Sequence, residues 1–237
     1  MILDSPKKPS ESRHLARRLW RRGFRRGSYW ALCAISEKLG IRRWLHLAIA
    51  DVFSAVVTDL LQLERIPRAF TVRAAEQDDL APLQAFFGDS KQVLRRFSQG
   101  HCCLLLHSDH TVNAAEWVAA GPNHYEEDWD ELHCVFRVSA GAGWLFDGLG
   151  SMSGGWGMLM RVLPRELEKR HIKRVYLQTD YANILSWESH RSLGFVPVGK
   201  ICHLRIAGLG FTAVKVNGSG GWRSLPVKIA GLEITAK

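Results

Sequence analysis

The decapeptide SMSGGWGMLM, residues 151–160, follows the apolar run GWLFDGLG and opens the amphipathic run GMLMRVLPRELEKR. A strand that turns into a helix through glycines lets the backbone approach a ligand, and free amides at the helix start can receive phosphate oxygens. The turn therefore reads as an anion cradle built from Ser153, Gly154, Gly155, Trp156 and Gly157, although a tight strand-to-helix turn needs glycine in any case. It is not a Walker loop, for GK[ST] is missing. Nor is it a dinucleotide fingerprint, since GxGxxG is not met and no acidic residue follows a second strand at the required distance.

Downstream, RVYLQTD reads as a buried strand, and NILSWESHRSLGF (183–195) as a short helix that stops at Gly194 and enters another strand at Phe195. Its inner face carries Ser186 and His190 where a plain core helix would place leucine. Upstream, FTVRAA is a strand, and EQDDLAPLQAFFG a helix whose acidic start suits its dipole. DSKQVLRRFSQG is a second helix, HCCLLLH and TVNAAEWVAAG form a hairpin, PNHYEEDWDE is an acidic loop, and LHCVFRV and GWLFDGLG are two further strands.

The order strand, Gly-turn, helix, strand, then N..S...H...GF resembles the GNAT superfamily of acyl-CoA N-acyltransferases, over residues 70–216, about 60% of the chain. The resemblance implies a mixed α/β fold whose central sheet splits into a V between strands near 143–150 and 174–179, flanked by helices. It implies acetyl-CoA or another acyl-CoA as co-substrate, its pyrophosphate on the amides of Ser153 to Gly157 and its pantetheine or thiol end near Asn183, with Ser186 on the same helix. A strand amide near Leu149 would stabilise the acyl oxygen. His190 falls where many members have a tyrosine that protonates the leaving thiolate, and histidine can do this nearer neutral pH.

The base is open between Glu116, on the strand AAEWVAA, and Asp147, in FDGL. The plain alternatives are an outward-facing strand residue and a turn residue bonding local backbone. Two departures from the family pattern stand out. Met152 sits where Arg or Gln usually begins the cradle, and Pro164 inside the following helix removes a hydrogen bond and predicts a kink. Both features also fit a GNAT domain that no longer catalyses.

Charge divides the chain. Residues 1–69 hold 14 Lys and Arg against 6 Asp and Glu, a net of +8, whereas residues 70–237 hold 18 against 17. Apolar residues in the first part recur at helical intervals (Leu15, Leu19; Trp30, Ala34; Leu45, Ile49, Val52, Val56), which predicts two or three helices to about residue 61. Three segments follow: a basic helical extension over 1–69, the acyltransferase domain over 70–216 and a tail over 217–237. Residues 12–61 suit peripheral contact with anionic lipid, Trp20 and Phe24 dipping in, or an acidic carrier protein that would replace CoA as acyl donor. Nucleic acid fits the charge alone, for no RNP, helix-turn-helix or finger pattern accompanies it.

RRGFRR followed by YWALCAIS has a passing likeness to a twin-arginine signal but lacks a small-residue cleavage site, and is read as mature protein. Five cysteines without CxxC or zinc spacing indicate neither disulfides nor a structural metal, and a cytoplasmic protein, at most at the inner face of the membrane, is expected. The expected activity is transfer of an acyl group to a primary amine of a small molecule. An amino sugar of surface-polysaccharide synthesis enters by analogy alone.

Overall fold

The structure, a computed structural model, describes residues 26–41, 44–63, 65–108, 111–127 and 132–237. The arginine-rich run to residue 25, with Trp20 and Phe24, lies outside these residues, as does Trp129 of the acidic loop.

A helix over 26–38 (α1) leads into a twelve-residue strand, Leu45–Val56 (β1). This corrects the expected all-helical extension. The positions Leu45, Ile49, Val52 and Val56 satisfy a helical spacing, but residues 50–55 are all buried because β1 is covered on both faces. β1 is an interior strand of a nine-stranded sheet, between β9 and β8, so residues on both sides of position 69/70 share that sheet.

Strand β2 (Thr71–Ala74) precedes helices α2 (Leu80–Phe87) and α3 (Ser90–Ser98). A reciprocal capping box between Glu76 and Asp79 starts the first through one 3-10 turn, and left-handed Gly88 ends it. Asp89 caps α3 by accepting from the Gln92 amide at 3.0 Å. The hairpin β3 (Cys102–Ser108) and β4 (Thr111–Ala120) follows as expected. The acidic loop contains a short strand, β5 (Asn123–Glu126), before β6 (Cys134–Val138) and β7 (Ala142–Gly150).

Helix α4 (Gly155–Lys169) runs on through Pro164, which is buried among the residues facing the sheet. Then come β8 (Arg174–Asp180), α5 (Ile184–Ser192), β9 (Val196–Ile206) and β10 (Leu209–Val216). The tail is not loose: β11 (Trp222–Ser224) pairs with β10, while β12 (Val227–Ile229) and β13 (Leu232–Ala236) extend β6 and β5 into a second, four-stranded sheet.

The large sheet has the order β11-β10-β9-β1-β8-β7-β4-β3-β2 and is antiparallel except between β7 and β8. One core cluster joins α2, α3 and the small sheet to one of its faces through Leu83, Val93, Trp117, Phe136, Trp144 and Ile234. The other packs Leu159, Met160, Leu163 and Leu167 of α4 on Phe53, Leu104, Val118 and Val175. This is the mixed, helix-flanked sheet that the resemblance implied, with β1 between β8 and β9 and β11 at one edge.

Candidate active site

The parallel pair β7 and β8 is joined only at Ala142–Trp144 against Arg174–Tyr176. Beyond this, the two strands part, each held on its outer side by β4 and β1. A cleft of about 430 Å³ opens between them, lined by Glu116, Asp147, Gly148, Trp156, Asn183 and His190 among others. The split expected near 143–150 and 174–179 is therefore present.

The pairing of β4 with β7 slips between Ala115 and Trp117, which leaves Glu116 opposite a bulge at Asp147 and Gly148. Asp147 has a φ of 51°, a left-handed conformation that Asp tolerates better than most residues. Gly148 is required for another reason: a Cβ there would overlap Glu116 Oε2 and Trp156 Nε1.

Glu116 is 4% exposed, so the plain reading of an outward-facing strand residue does not hold. Burial pushes its carboxyl from the ordinary 4.5 up to about 8, opposed by the indole N–H of Trp156, which donates to Oε2 at 2.8 Å. His190 lies across the same indole, its ring edge-on to Trp156 with centroids 5.1 Å apart. Its Nδ1 is 2.7 Å from the Ser186 carbonyl, and a carbonyl only accepts, so Nδ1 carries the proton and Nε2 the lone pair. Desolvation lowers the His190 pKa to about 4, against which the Ser186 bond acts. In this state the one N–H of His190 bonds backbone, an arrangement that suits a positioning role better than the acid role expected of it.

Asp147, the other candidate base, is engaged as well. Its carboxylate is paired with the guanidinium of Arg96, a residue only 1% exposed, whose plane lies over Phe87, Trp117 and Phe146 at 5.2 to 5.7 Å. Desolvation brings the Arg96 pKa down to about 10. Sequence reasoning missed Arg96, although its place three residues after Val93 on α3 puts it on the apolar face. Truncating one partner strands the other, so Arg96→Met should cost on the order of 3 kcal/mol in urea unfolding, and Asp147→Asn in the same background should recover part of it. An Arg96→Met protein as stable as the parent would remove this role.

A second, open cleft of about 580 Å³ adjoins the bulge on the α2–α3 side, lined by Phe87, Lys91, Gln92, Arg95 and Leu149 and sharing Asp147 and Gly148 with the first. The bulge is thus reached from two directions. Leu149, 45% exposed, lies on β7 past its last pairing with β8.

At the start of α4, Gly154 is left-handed and the Gly155 amide is used by the Met152 carbonyl, while the next amides, of Trp156 and Gly157, precede the first intrahelical bond from Met158. A Cβ on Gly157 would meet nothing within 4 Å, whereas one on Gly155 would press on Met152 and the Asn113 carbonyl. Gly155 thus has a packing reason, and Gly157 stands beside open space. Ser153 is exposed at the turn. Asn183 caps α5, its Oδ1 accepting from the Ser186 amide at 3.1 Å, and Ser186 Oγ lies 3.3 Å from His190 Nδ1. These features fit a phosphate-bearing ligand whose chain enters the split.

Elsewhere, Glu127 of the acidic loop is buried and bonded by Gln178 and by Tyr125, so it is a structural carboxylate. Among the described residues, no group of three or more His, Cys, Asp or Glu is placed to hold a metal ion.

No protein-family model matches the sequence, and no curated protein is similar to it in sequence. Solved structures do resemble the chain in fold. A conserved protein of unknown function from Staphylococcus epidermidis superposes with a TM-score of 0.51 at 11% identity, covering 76% of this chain and 68% of that one. A GCN5-related N-acetyltransferase from Sphaerobacter thermophilus gives 0.47 at 14% identity, covering 73% and 56%. A GNAT-family acetyltransferase from Colwellia psychrerythraea gives 0.47 at 12%, covering 67% and 56%. The chain spans less than two thirds of the length of the latter two.

Proposed function

We propose that the protein is a GNAT-type N-acyltransferase that moves an acyl group, acetyl in the simplest case, from CoA to a primary amine of a small molecule. The observation that carries this reading is the parting of β7 from β8 around a bulge that faces a buried carboxyl, with a glycine turn and helix start at the same end. The amides of Trp156 and Gly157 would take the pyrophosphate, the free edges of the split would receive the pantetheine arm as an added strand, and Asn183 and Ser186 would border its thiol end.

In the transfer, the amine nitrogen attacks the thioester carbonyl, a C–N bond forms and the C–S bond breaks, with a β7 amide near Leu149 on the oxyanion. The nitrogen loses a proton and the sulfur needs one. Glu116 is the group proposed to accept the first and return it to the second, because its pKa of about 8 lies close to that of a thiol, about 8.5. Trp156 orients this carboxyl, and His190 backs the indole as a positioning residue. The second cleft, over Lys91, Gln92 and Arg95, is the proposed entry for the acceptor, with an amino sugar as one class to try.

The test is release of CoA thiol from acetyl-CoA on adding primary amines, with acylated product read by mass spectrometry. Product formed with the parent protein and lost in Glu116→Gln supports the reading. Absence of transfer across amines and acyl donors by a folded protein contradicts it.

A further inference from the structure

The acceptor cleft carries charges that the transfer step does not use. Lys91 and Arg95 stand four residues apart on α3 and so share one helical face, while Val93 and Arg96 of the same helix are buried. Both basic residues are exposed, and both line the cleft of about 580 Å³ together with Phe87, Gln92 and Leu149. That volume suits a small-molecule ligand. The cleft extends to Asp147 and Gly148 at the bulge, where it meets the one that holds Glu116.

Helix stability does not account for Lys91. It lies in the first turn of α3, at the positive end of the helix dipole, where a cation is disfavoured and an anion is stabilised. A lysine or arginine bonds a carboxylate or phosphate roughly twice as strongly as neutral groups bond one another. An anionic ligand group would therefore satisfy the helix start and both side chains together.

The acidic residues of the cleft have partners of their own. Asp147 is paired with Arg96, and Asp89 caps α3 by accepting from the Gln92 amide at 3.0 Å. The α3 face along the cleft is thus positive at Lys91 and Arg95, and Phe87 and Leu149 add apolar wall. A ligand that fits has an anionic group on one side, a body that accepts apolar neighbours, and a second end at the bulge.

We propose that the acyl acceptor is a zwitterion, a small primary amine that also bears a carboxylate or phosphate, with the anionic group held by Lys91 and Arg95 and the amine at Gly148 beside Glu116. The inference rests on the transferase reading and narrows it. Polyamines would bring a second cation to a basic helix face and are poor acceptors, and an amino sugar qualifies only with an acidic substituent.

Acetyl transfer by the full chain tests this with two matched sets of amines: 6-aminohexanoate against 6-aminohexanamide, and 4-aminobutyl phosphate against 4-aminobutanol. In each set the charged group is remote from the nitrogen, so amine basicity stays close to constant. The anionic member of at least one set should show a kcat/KM about tenfold or more above its neutral partner, falling with added salt, and the larger ratio tells carboxylate from phosphate. Lys91→Gln with Arg95→Gln should bring the two members to within about twofold, chiefly through KM, whereas Lys91→Arg should keep the preference. Because the readout is a ratio within one preparation, a partly folded variant does not distort it. Equal use of charged and neutral members by the parent, or a preference that survives the double substitution, overturns the inference and leaves the transferase reading in place. So does transfer confined to neutral or cationic amines. Absence of transfer to any amine by the folded parent contradicts the transferase reading itself and removes the inference with it.

Discussion

Glu116→Gln should lower kcat for acyl transfer by about 10²- to 10⁴-fold with little change in acetyl-CoA affinity, the span expected when a general acid–base group is lost. Glutamine keeps an oxygen for the Trp156 indole N–H, which donates to Glu116 at 2.8 Å, so the packing around Gly148 is retained. In the parent, activity should rise as pH passes through about 8, where Glu116 ionises. Acceptors of different amine basicity separate this from titration of the nucleophile: a limb fixed near 8 across them belongs to the enzyme, and a limb that follows the amine excludes Glu116 as its source.

The same carboxyl should govern stability. Its folded pKa of about 8 exceeds the ordinary 4.5, so the folded state holds more protons between those values. The stability slope with pH is then negative, full benefit being present below about 4.5 and lost as pH rises through 8. For a carboxyl this deeply buried, the loss is on the order of 4 kcal/mol. His190 acts in the opposite sense over a lower window: its pKa of about 4 lies below the ordinary 6.5, so the stability it contributes is present above 6.5 and lost as pH falls toward 4. Urea unfolding of the parent and of Glu116→Gln from pH 5 to 9 isolates the first effect, because other groups cancel in the difference. Parallel curves would show that Glu116 is not held protonated.

Much of this was legible from sequence where local rules decide. Glycines at 88 and 100 end α2 and the segment after α3, both with left-handed backbone, and Gly154 opens α4 the same way. The hairpin at 102–120 pairs as read. What escaped was non-local. β1 carries a run buried on both faces, which shows no two-residue period, and its apolar residues also fit a helix. The tail strands are three to five residues long and exist because β10 offers an edge to β11 and β6 one to β13. In the cleft, Glu116, Asp147, Trp156 and His190 were readable as candidates or cradle residues. Their surroundings were not: the indole bond to Glu116 spans 40 positions, and the pairing of Asp147 with Arg96 depends on a guanidinium buried against three aromatic rings. Read alone, Arg95 and Arg96 look like a solvated helix face.

The most direct test of the central claim is calorimetric titration of acetyl-CoA into the parent and into Gly157→Glu. A side chain at 157 enters open space, and glutamate in a first helical turn favours the helix over glycine, so the variant should melt at or above the parent temperature. Its carboxylate would stand where the pyrophosphate is proposed to bind. The account predicts saturable binding by the parent and its loss in this well-folded variant. Equal binding by both, or none by the folded parent, would contradict acyl-CoA capture at the split between β7 and β8.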